Sequence, residues 1–312
     1  MPPKVIVICG PTASGKTALG VALAKHLHTE VISADSMQIY RGMDIGTAKP
    51  TPEEMDGVPH HMMDVAEPTE PFSAARYVEL ADTHVQRLLA AGKVPLIVGG
   101  TGLYIDSILA GRQFAPFSGK ARETLTSRLA MEGIEPLYRE LKKIDPCRAA
   151  ALPLSDEKRI LRALEIWYET GKTMTRHDEE SRTLPPRYQP VTIFLNYKDR
   201  TALWKRINDR VDTMVEKGLL REVQNLLERG VSPSATAMQA IGYKELSSAL
   251  AGKEPVEAAI ARVKLRSRQY AKRQITWFRR YADALRWEWE NIPDFSSCLQ
   301  TSTKFIRDHG IG

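Results

Sequence analysis

Residues 4–27 read KVIVICGPTASGKTALGVALAKHL, and this stretch decides the fold. Its first six residues form the short apolar run of a buried parallel strand, and the residues from Lys16 onward have the apolar spacing of a helix. The turn between them has the spacing G-x-x-x-x-G-K-T. Such a turn closes backbone N–H groups around phosphate oxygens at the positive end of the helix. We therefore predict a phosphate-binding loop, called the phosphate loop below, made of Gly10, Pro11, Thr12, Ala13, Ser14, Gly15, Lys16 and Thr17.

Further strands and helices alternate along the chain after this loop. The segments EVISADS (30–36) and KVPLIVGGTG (93–102) are typical of strands, and residues 75–92 have helical spacing. From about residue 115 the chain is helical in pattern until PVTIFLNY (190–197), a strand that we expect to return to the sheet. The pattern predicts an α/β fold with a P-loop-containing parallel sheet core, a helical insertion domain and a helical C-terminal part. The predicted bounds are 1–115 and 190–290 for the core, 116–189 for the insertion and 291–312 for a tail with little pattern.

Composition excludes several classes of protein. The chain has 312 residues, 43% of them hydrophobic, which suffices for a sizeable core. No apolar run reaches the ~18 residues that a membrane span needs. The N-terminus lacks the pattern of a signal or transit peptide, so we expect a cytoplasmic protein of bacterial type. The three cysteines are far apart, which argues against structural zinc and against a disulfide framework.

Positive charge is concentrated in one segment. The formal net charge is +6, yet residues 262–280 alone hold eight basic residues and no acidic one. A local concentration of this kind indicates a polyanionic partner. The same segment contains Tyr270, Trp277 and Phe278, so a helix with a solvated basic face and an aromatic core face remains an alternative.

Two polar residues follow predicted strands and are candidates for chemistry. Asp35 follows the second strand and Thr101 the third, and the carboxyl ends of parallel strands are where α/β folds place ligands. The third strand ends in LIVGGTG, without the Asp that a hydrolytic NTPase normally has. Asp35 as a helix cap and Thr101 as a turn residue remain open. We interpret the adjacent His60 and His61 as structural, because neighbouring side chains point in different directions.

Eight segments in order resemble the successive motifs of the bacterial tRNA dimethylallyltransferases, the tRNA isopentenyltransferase family. They are GPTASGKT, ADSMQIYRGMDIGTAKP, HHMMD, PFSAARY, GGTGLY, DEKRILRALE, QAIGYKE and RQYAKRQITWFRR, and they run from about residue 8 to 281. The resemblance implies transfer of a dimethylallyl group from dimethylallyl diphosphate, with Mg²⁺ and release of diphosphate. The acceptor would be N6 of the adenine 3′-adjacent to the anticodon (position 37) in tRNAs that read codons starting with U.

The resemblance also implies roles for single residues. Asp35 would be the base that takes the amine proton, and Thr101 would steady the oxygen that bridges the prenyl group and the diphosphate. Lys16 and Arg210 would stabilise the departing diphosphate, and Thr17 would hold the metal. The tRNA contacts implied are Asp35, Ser36, Met37, Gln38, Thr101, Glu123, Lys158, Arg159, Ile160, Leu161, Arg162, Gln239 and Gly242. Lys158 departs from the family pattern, which usually has Gln there, so an amide contact to tRNA at this position is in doubt.

Other functions use the same phosphate loop. A P-loop kinase and a nucleic-acid-binding NTPase would bind ATP there, and an adenylate isopentenyltransferase would prenylate free AMP. The Asp35 and Thr101 motifs with the basic segment favour the tRNA enzyme. We expect a monomer whose partners are the tRNA anticodon stem-loop and dimethylallyl diphosphate, without a membrane.

Overall fold

The computed structural model describes residues 2–112, 114, 119–183, 185–290 and 294–311. Contacts divide the chain into two compact units: Met1–Gly111 with Arg187–Gly312, and Arg112–Pro186. The predicted insertion, 116–189, begins and ends a few residues later than the second unit. Residues 115–118, where the predicted boundary falls, and residues 291–293, at the start of the predicted tail, lie outside the described part of the chain.

The first unit is built on a parallel sheet. Within the described residues it has six strands in the order β3-β2-β4-β1-β5-β6. The strands are β1 Lys4–Cys9, β2 Val31–Ala34, β3 His60–His61, β4 Leu96–Gly99, β5 Gln189–Tyr197 and β6 Leu285–Trp289. The predicted return of residues 190–197 to the sheet is confirmed, since β5 pairs in parallel with β1. The phosphate loop therefore leaves the sheet from a central strand.

Helices of the first unit cover this sheet and continue the chain after it. They are α1 Lys16–His26, α2 Pro52–Met55, α3 Ala74–Ala90, α4 Gly102–Ala110, α10 Arg200–Glu216, α11 Leu219–Glu228, α12 Tyr243–Leu250, α13 Val256–Phe278 and α14 Phe295–Asp308. The second unit contains α5 Lys120–Glu132, α6 Ile134–Ile144, α7 Pro146–Ala150, α8 Glu157–Thr170 and α9 Met174–Thr183. No helix in the described ranges is long and apolar enough to cross a membrane.

The core of the first unit lies against both faces of its central strands. Nearly all residues of β1, β2 and β4 are buried, as expected for parallel strands covered on both faces. The cluster around them contains Ile6, Leu19 and Ile193 and also Cys298 and Ile306 of α14. The tail residues that the structure describes therefore form a helix packed on the core, although their sequence has little pattern.

The edge strand β6 was not predicted. Its sequence, LRWEW, has exposed Arg286 and Glu288 between less exposed residues, as expected for a strand at the edge of a sheet. It lies a few residues after α13, and its five residues are too short for periodicity alone to identify. Its last residue, Trp289, is buried and contributes to the site described below.

A second apolar cluster holds the loop that follows β2. Ile39, Tyr40 and Met43 of this loop pack with Val223 of α11 and Tyr243 of α12. Glu222 of α11, which is not part of this apolar cluster, holds the same loop through hydrogen bonds. Its carboxylate accepts the backbone N–H groups of residues 44, 45 and 46 at 2.8–3.0 Å and also the hydroxyl of Tyr243. The QAIGYKE segment therefore supports the loop that carries Asp35.

Candidate active site

The phosphate loop has the backbone geometry that an anion cradle needs. Gly10 has φ +151°, and a Cβ there would lie 2.2 Å from the carbonyl oxygen of Leu195, so no other residue fits. Gly15 has φ +85° at the start of α1. The indole Nε1 of Trp289 donates to the carbonyl oxygen of Ser14 at 2.8 Å. The edge strand thus holds the loop in place beside the N-terminus of α1, where backbone N–H groups attract anions.

Lys16 is the cation of this loop. Its Nζ donates to the carbonyl oxygen of Pro11 at 2.6 Å, which keeps the ammonium at the mouth of the loop. Burial is the main cause that lowers the pKa of Lys16 to about 8, the positive charge of Arg210 contributes to this shift, and the charge of Asp35 opposes it. Since an added negative charge would relieve this unfavourable environment, Lys16 is suited to bind an anion.

Arg210 of α10 brings a second, half-buried cation. Burial lowers the pKa of its guanidinium, and the negative charge of Asp35 raises it. The electrostatic interactions among Lys16, Arg210 and Asp35 show that these three predicted site residues lie near one another. Two cations and one carboxylate give a net positive site that favours a polyanion such as diphosphate.

Asp35 stands at the carboxyl end of β2. Its Oδ1 accepts the backbone N–H groups of Met37 at 2.8 Å and Gln38 at 3.3 Å, so the carboxylate caps a turn, and no helix follows it. Its Oδ2 makes no hydrogen bond with the residues that the structure describes. One oxygen therefore orients the group, and the other is available to accept a proton from a substrate.

Thr101 joins the ends of β2 and β4. Its backbone N–H donates to the carbonyl oxygen of Ala34 at 3.0 Å, and its Oγ1 accepts the backbone N–H of Ser36, also at 3.0 Å. The two strand ends that sequence analysis singled out are thus adjacent. The interpretation of Thr101 as a turn residue is also compatible with this geometry, because Thr101 immediately precedes α4.

One residue of the site was missed from the sequence. Gln274 is 5% exposed on the inner face of α13. Gln274 interrupts the apolar positions Val263, Ala271 and Phe278 of that helix. A buried amide within an apolar stripe is the pattern that could have marked it, because a buried polar group needs partners. Its partners are in the phosphate loop and in the loop after β4.

The predicted tRNA contacts have different environments. In the first unit, Gln38 accepts the hydroxyl of Ser33 at 3.0 Å, Gln239 is exposed, and the N–H of Gly242 donates to Glu245. In the second unit, Glu123, Lys158 and Arg159 are exposed. Arg162 and Arg122 both pair with the buried Glu165 at 3.3 Å.

Ile160 and Leu161 require a correction. They are 0% and 6% exposed, and they pack with Leu125, Leu137 and Leu164 in the core of the second unit. Their side chains are therefore unable to contact RNA, and their role is to anchor α8. The exposed Lys158 and Arg159 precede them on the same helix.

The faces of α13 are compatible with both interpretations of the basic segment. Phe278 is fully buried, whereas Lys272, Arg273 and Arg279 are exposed. Arg262 and Lys264 pair with carboxylates of Glu254 and Asp212. Lys272, Arg273 and Arg279 make no ion pair with any residue in the described ranges. With the exposed Arg266, which hydrogen-bonds to Gln269, they remain available to a polyanion.

Comparison with known proteins identifies relatives along nearly the whole chain. A model of the IPP transferase family matches residues 38–281. The chain is 46% identical over 287 residues to the tRNA dimethylallyltransferase of Thermoanaerobacter sp. (strain X514), and the match covers 91% of each chain. It is 43% identical over 309 residues to that of Geobacillus kaustophilus (strain HTA426), with 98% of this chain and 97% of the relative covered.

Solved structures agree with these relatives. The tRNA isopentenylpyrophosphate transferase of Bacillus halodurans is 42% identical, with a TM-score of 0.73 and coverage of 98% of this chain and 96% of that one. A eukaryotic dimethylallyltransferase acting on tRNA is 30% identical, with a TM-score of 0.83 and coverage of 99% and 81%. The α/β core predicted from the sequence and the family resemblance are confirmed.

Proposed function

The chain belongs to the IPP transferase family of tRNA dimethylallyltransferases, and we therefore propose that it isopentenylates tRNA. The donor is dimethylallyl diphosphate. The acceptor is N6 of the adenine 3′-adjacent to the anticodon, at position 37 of tRNAs that read codons starting with U. The products are N6-isopentenyladenosine and diphosphate. The bond from the prenyl carbon to the diphosphate oxygen breaks, a C–N bond forms, and one amine proton leaves.

One observation carries this assignment: a carboxylate with a free oxygen lies near two half-buried cations at the carboxyl ends of the parallel strands. Lys16 and Arg210 supply the positive charge, and Asp35 supplies the carboxylate. Cations aimed at a leaving group stabilise the charge that develops on it, and this needs no hydrolytic water. The strand β4 ends in Gly99 without a carboxylate, which disfavours an NTPase.

Asp35 is the base in this scheme. An adenine amine is a poor nucleophile because its lone pair is delocalised into the ring, so removal of its proton must accompany bond formation. A positioned base contributes about 10²–10⁴ in rate. The turn formed by Met37 and Gln38 orients the carboxylate through Oδ1, which leaves Oδ2 to receive the proton.

The donor is held mainly through its diphosphate. Burying five prenyl carbons contributes only about 4 kcal/mol at ~0.8 kcal/mol per carbon. The amides of the phosphate loop, Lys16 and Arg210 therefore provide most of the affinity. Exclusion of longer prenyl donors depends on the space available beside Thr101 rather than on affinity for the head group.

Magnesium fits the donor set of this site. The hydroxyl of Thr17 is half-buried in the first turn of α1 and makes no hydrogen bond with the described residues. Within the described ranges no cluster of three or more His, Cys, Asp or Glu side chains could hold a metal. Thr17, diphosphate oxygens and water would hold the ion, as is usual for Mg²⁺ at phosphates. When bound there, the ion would supply charge that neutralises the departing diphosphate.

RNA binding requires contacts outside the site formed by Asp35, Lys16 and Arg210. Adenine in a stacked loop reaches a recessed carboxylate only when it is flipped out of the stack. The exposed Lys272 and Arg273 of α13, and Arg279 directly after it, contact phosphates in this proposal. Lys158 and Arg159, exposed on α8, add contacts from the second unit.

The test compares acceptors for one labelled donor. The protein, Mg²⁺ and labelled dimethylallyl diphosphate are mixed with an anticodon stem-loop containing three consecutive adenines, with the same stem-loop lacking the target adenine, or with AMP. We expect label only in the first RNA. Label in AMP would indicate an adenylate isopentenyltransferase. ATP turnover without any transfer would indicate a kinase or an NTPase.

A further inference from the structure

The buried amide of Gln274 joins α13 to the loops that follow β1 and β4. Its Oε1 accepts the backbone N–H of Thr12 in the phosphate loop at 2.8 Å, and its Nε2 donates to the carbonyl oxygen of Gly100 at 3.0 Å. One partner is a donor and the other an acceptor, so a single orientation of the amide satisfies both. Gln274 is thus held in place, and it holds the backbone of both loops.

The peptide unit between Pro11 and Thr12 has partners on both of its sides. Its N–H belongs to Thr12 and donates to Gln274, whereas its carbonyl oxygen belongs to Pro11 and accepts Nζ of Lys16 at 2.6 Å. Because a trans peptide unit is planar, its N–H and its C=O point in opposite directions. Rotation of this unit would therefore break both hydrogen bonds, and each of them fixes the orientation that the other needs.

The carbonyl oxygen of Pro11 is what holds the Lys16 ammonium. Within the described ranges, Nζ of Lys16 makes no other hydrogen bond and no ion pair. A lysine ammonium sits on a flexible four-carbon stem, so without a fixed partner it samples many rotamers. Binding of an anion would then have to order the side chain, which lowers the affinity.

We propose that Gln274 is a positioning residue that holds the Lys16 ammonium ready for the diphosphate of the donor, acting through the Pro11–Thr12 peptide unit. This rests on the proposed function, which identifies the anion. Gln274 itself does not contact the donor in this scheme. It fixes the N–H of Thr12, the peptide plane fixes the carbonyl of Pro11, and that carbonyl holds the ammonium. A cation placed before the donor arrives needs no reorganisation when charge develops on the leaving group.

The glycines at the end of β4 make room for this amide. A Cβ at Gly100 would lie 2.1 Å from Nε2 of Gln274, and a Cβ at Gly99 would lie 2.2 Å from the carbonyl oxygen of Ala34. Any side chain at Gly100 would therefore collide with the amide. The strand end next to β1 thus holds a neutral amide that orients Lys16, in the space where a carboxylate on Gly100 would otherwise lie.

A double-mutant cycle with Lys16 tests the proposal. Gln274→Met removes the amide with little change in side-chain length, and Lys16→Met removes the ammonium. Affinity for dimethylallyl diphosphate with Mg²⁺ and without RNA is measured by calorimetry at pH 7. We expect Gln274→Met to weaken donor binding about tenfold in the wild type and less than about twofold in the Lys16→Met background, because interacting residues are not additive. Equal losses in both backgrounds would overturn the proposal.

Gln269→Met is the matched control. It makes the same replacement at an exposed glutamine of α13 that hydrogen-bonds to Arg266. Its effect on donor affinity should stay below about twofold in both backgrounds. A loss as large as that of Gln274→Met would show that any such change in α13 disturbs the loop, and it would refute a specific role for Gln274.

Gln274→Glu tests the same contact by rescue and serves if Gln274→Met does not fold. The ionised carboxyl is able to accept from Thr12 but not to donate to Gly100, whereas the protonated carboxyl has one donor and one acceptor, as the amide has. Burial raises the pKa of the introduced carboxyl. Donor affinity relative to the wild type should therefore rise as the pH is lowered from 7 to 5.5, where Lys16 is charged in both proteins. A ratio that stays flat would contradict the proposal.

Inorganic diphosphate separates this proposal from the function on which it rests. Its affinity is measured in parallel for the four proteins of the cycle. A wild-type protein that transfers label but shows additive losses refutes the role of Gln274 alone. A wild-type protein that transfers nothing refutes the proposed function, and non-additive losses in affinity for inorganic diphosphate would still support the positioning of Lys16.

Discussion

At the scale of single residues, the environment of Lys16 links donor binding to pH. Burial and Arg210 lower the pKa of Lys16 from 10.5 to about 8. The ammonium is therefore mostly charged at pH 7 and mostly neutral at pH 9 in the free protein. Because the charged form is the one that attracts diphosphate, the contribution of Lys16 to donor affinity should be present below about pH 8 and decrease as the pH rises above it.

The corresponding prediction uses the pH dependence of donor binding. In the wild type, affinity for dimethylallyl diphosphate should fall by up to about tenfold per unit above pH 8. In Lys16→Met the affinity should be weaker at pH 7 and nearly flat from pH 7 to pH 9. Calorimetric titration at several pH values measures both. A wild-type profile as flat as that of the variant would contradict the account of Lys16.

At the scale of secondary-structure elements, Glu222 of α11 holds the loop that carries the site. Its carboxylate satisfies three backbone N–H groups and the Tyr243 hydroxyl. Glu222→Ala leaves these donors without partners, and we expect a loss of about 1–3 kcal/mol in the free energy of unfolding, measured in urea. Glu228→Ala, at the exposed end of the same helix, should change stability by less than about 0.5 kcal/mol. Similar losses in both variants would exclude this role.

The basic face of α13 yields a second prediction at this scale. The double substitution Lys272→Gln and Arg273→Gln removes two exposed cations without ion pairs among the described residues, so stem-loop affinity should fall. The slope of log affinity against log salt should decrease by about 0.7–0.9 for each phosphate that the variant no longer neutralises. Arg262→Gln, whose guanidinium pairs with Glu254, is the control and should change the slope little. An unchanged slope in the double variant would place the RNA elsewhere.

Some strands and site residues could be predicted from the sequence, and others could not. The buried runs of β1, β2, β4 and β5 were predictable because both faces of each strand are apolar. The amphipathic edge strand β6 was not, since its pattern is that of a solvated surface. Gln274 escaped detection because its partners are backbone groups distant in the chain. Ile160 and Leu161 were predicted as RNA contacts from a motif, which does not tell which side of a helix is buried, and the structure shows their side chains in the core of the second unit.

At the scale of the whole molecule, the second unit is an insertion whose ends meet in the first. The backbone N–H of Arg187 donates to the carbonyl oxygen of Leu109 at 2.9 Å, close to the last residue, Gly111, before the insertion. A short glycine linker could therefore replace residues 112–186 without strain on the sheet. The two units have separate apolar clusters, so the first should fold without the second.

Replacement of residues 112–186 by such a linker tests whether the second unit binds RNA while the first unit binds the donor. We expect affinity for the anticodon stem-loop to be lost and affinity for dimethylallyl diphosphate to stay within a few-fold of the wild type, because the phosphate loop, Lys16 and Arg210 remain. Filter binding and calorimetry measure the two affinities. Unchanged stem-loop affinity in the shortened protein would refute the assignment of RNA contacts to the second unit.

The most direct test of the central claim is the transfer rate of Asp35→Asn in a single turnover at pH 7. Asn keeps the side-chain oxygen that caps the turn at Met37 but is unable to accept the amine proton. We predict a loss of at least about a hundredfold in rate, with affinities for dimethylallyl diphosphate and the stem-loop kept within a few-fold. A variant that transfers the prenyl group within about threefold of the wild-type rate would show that Asp35 is not the base.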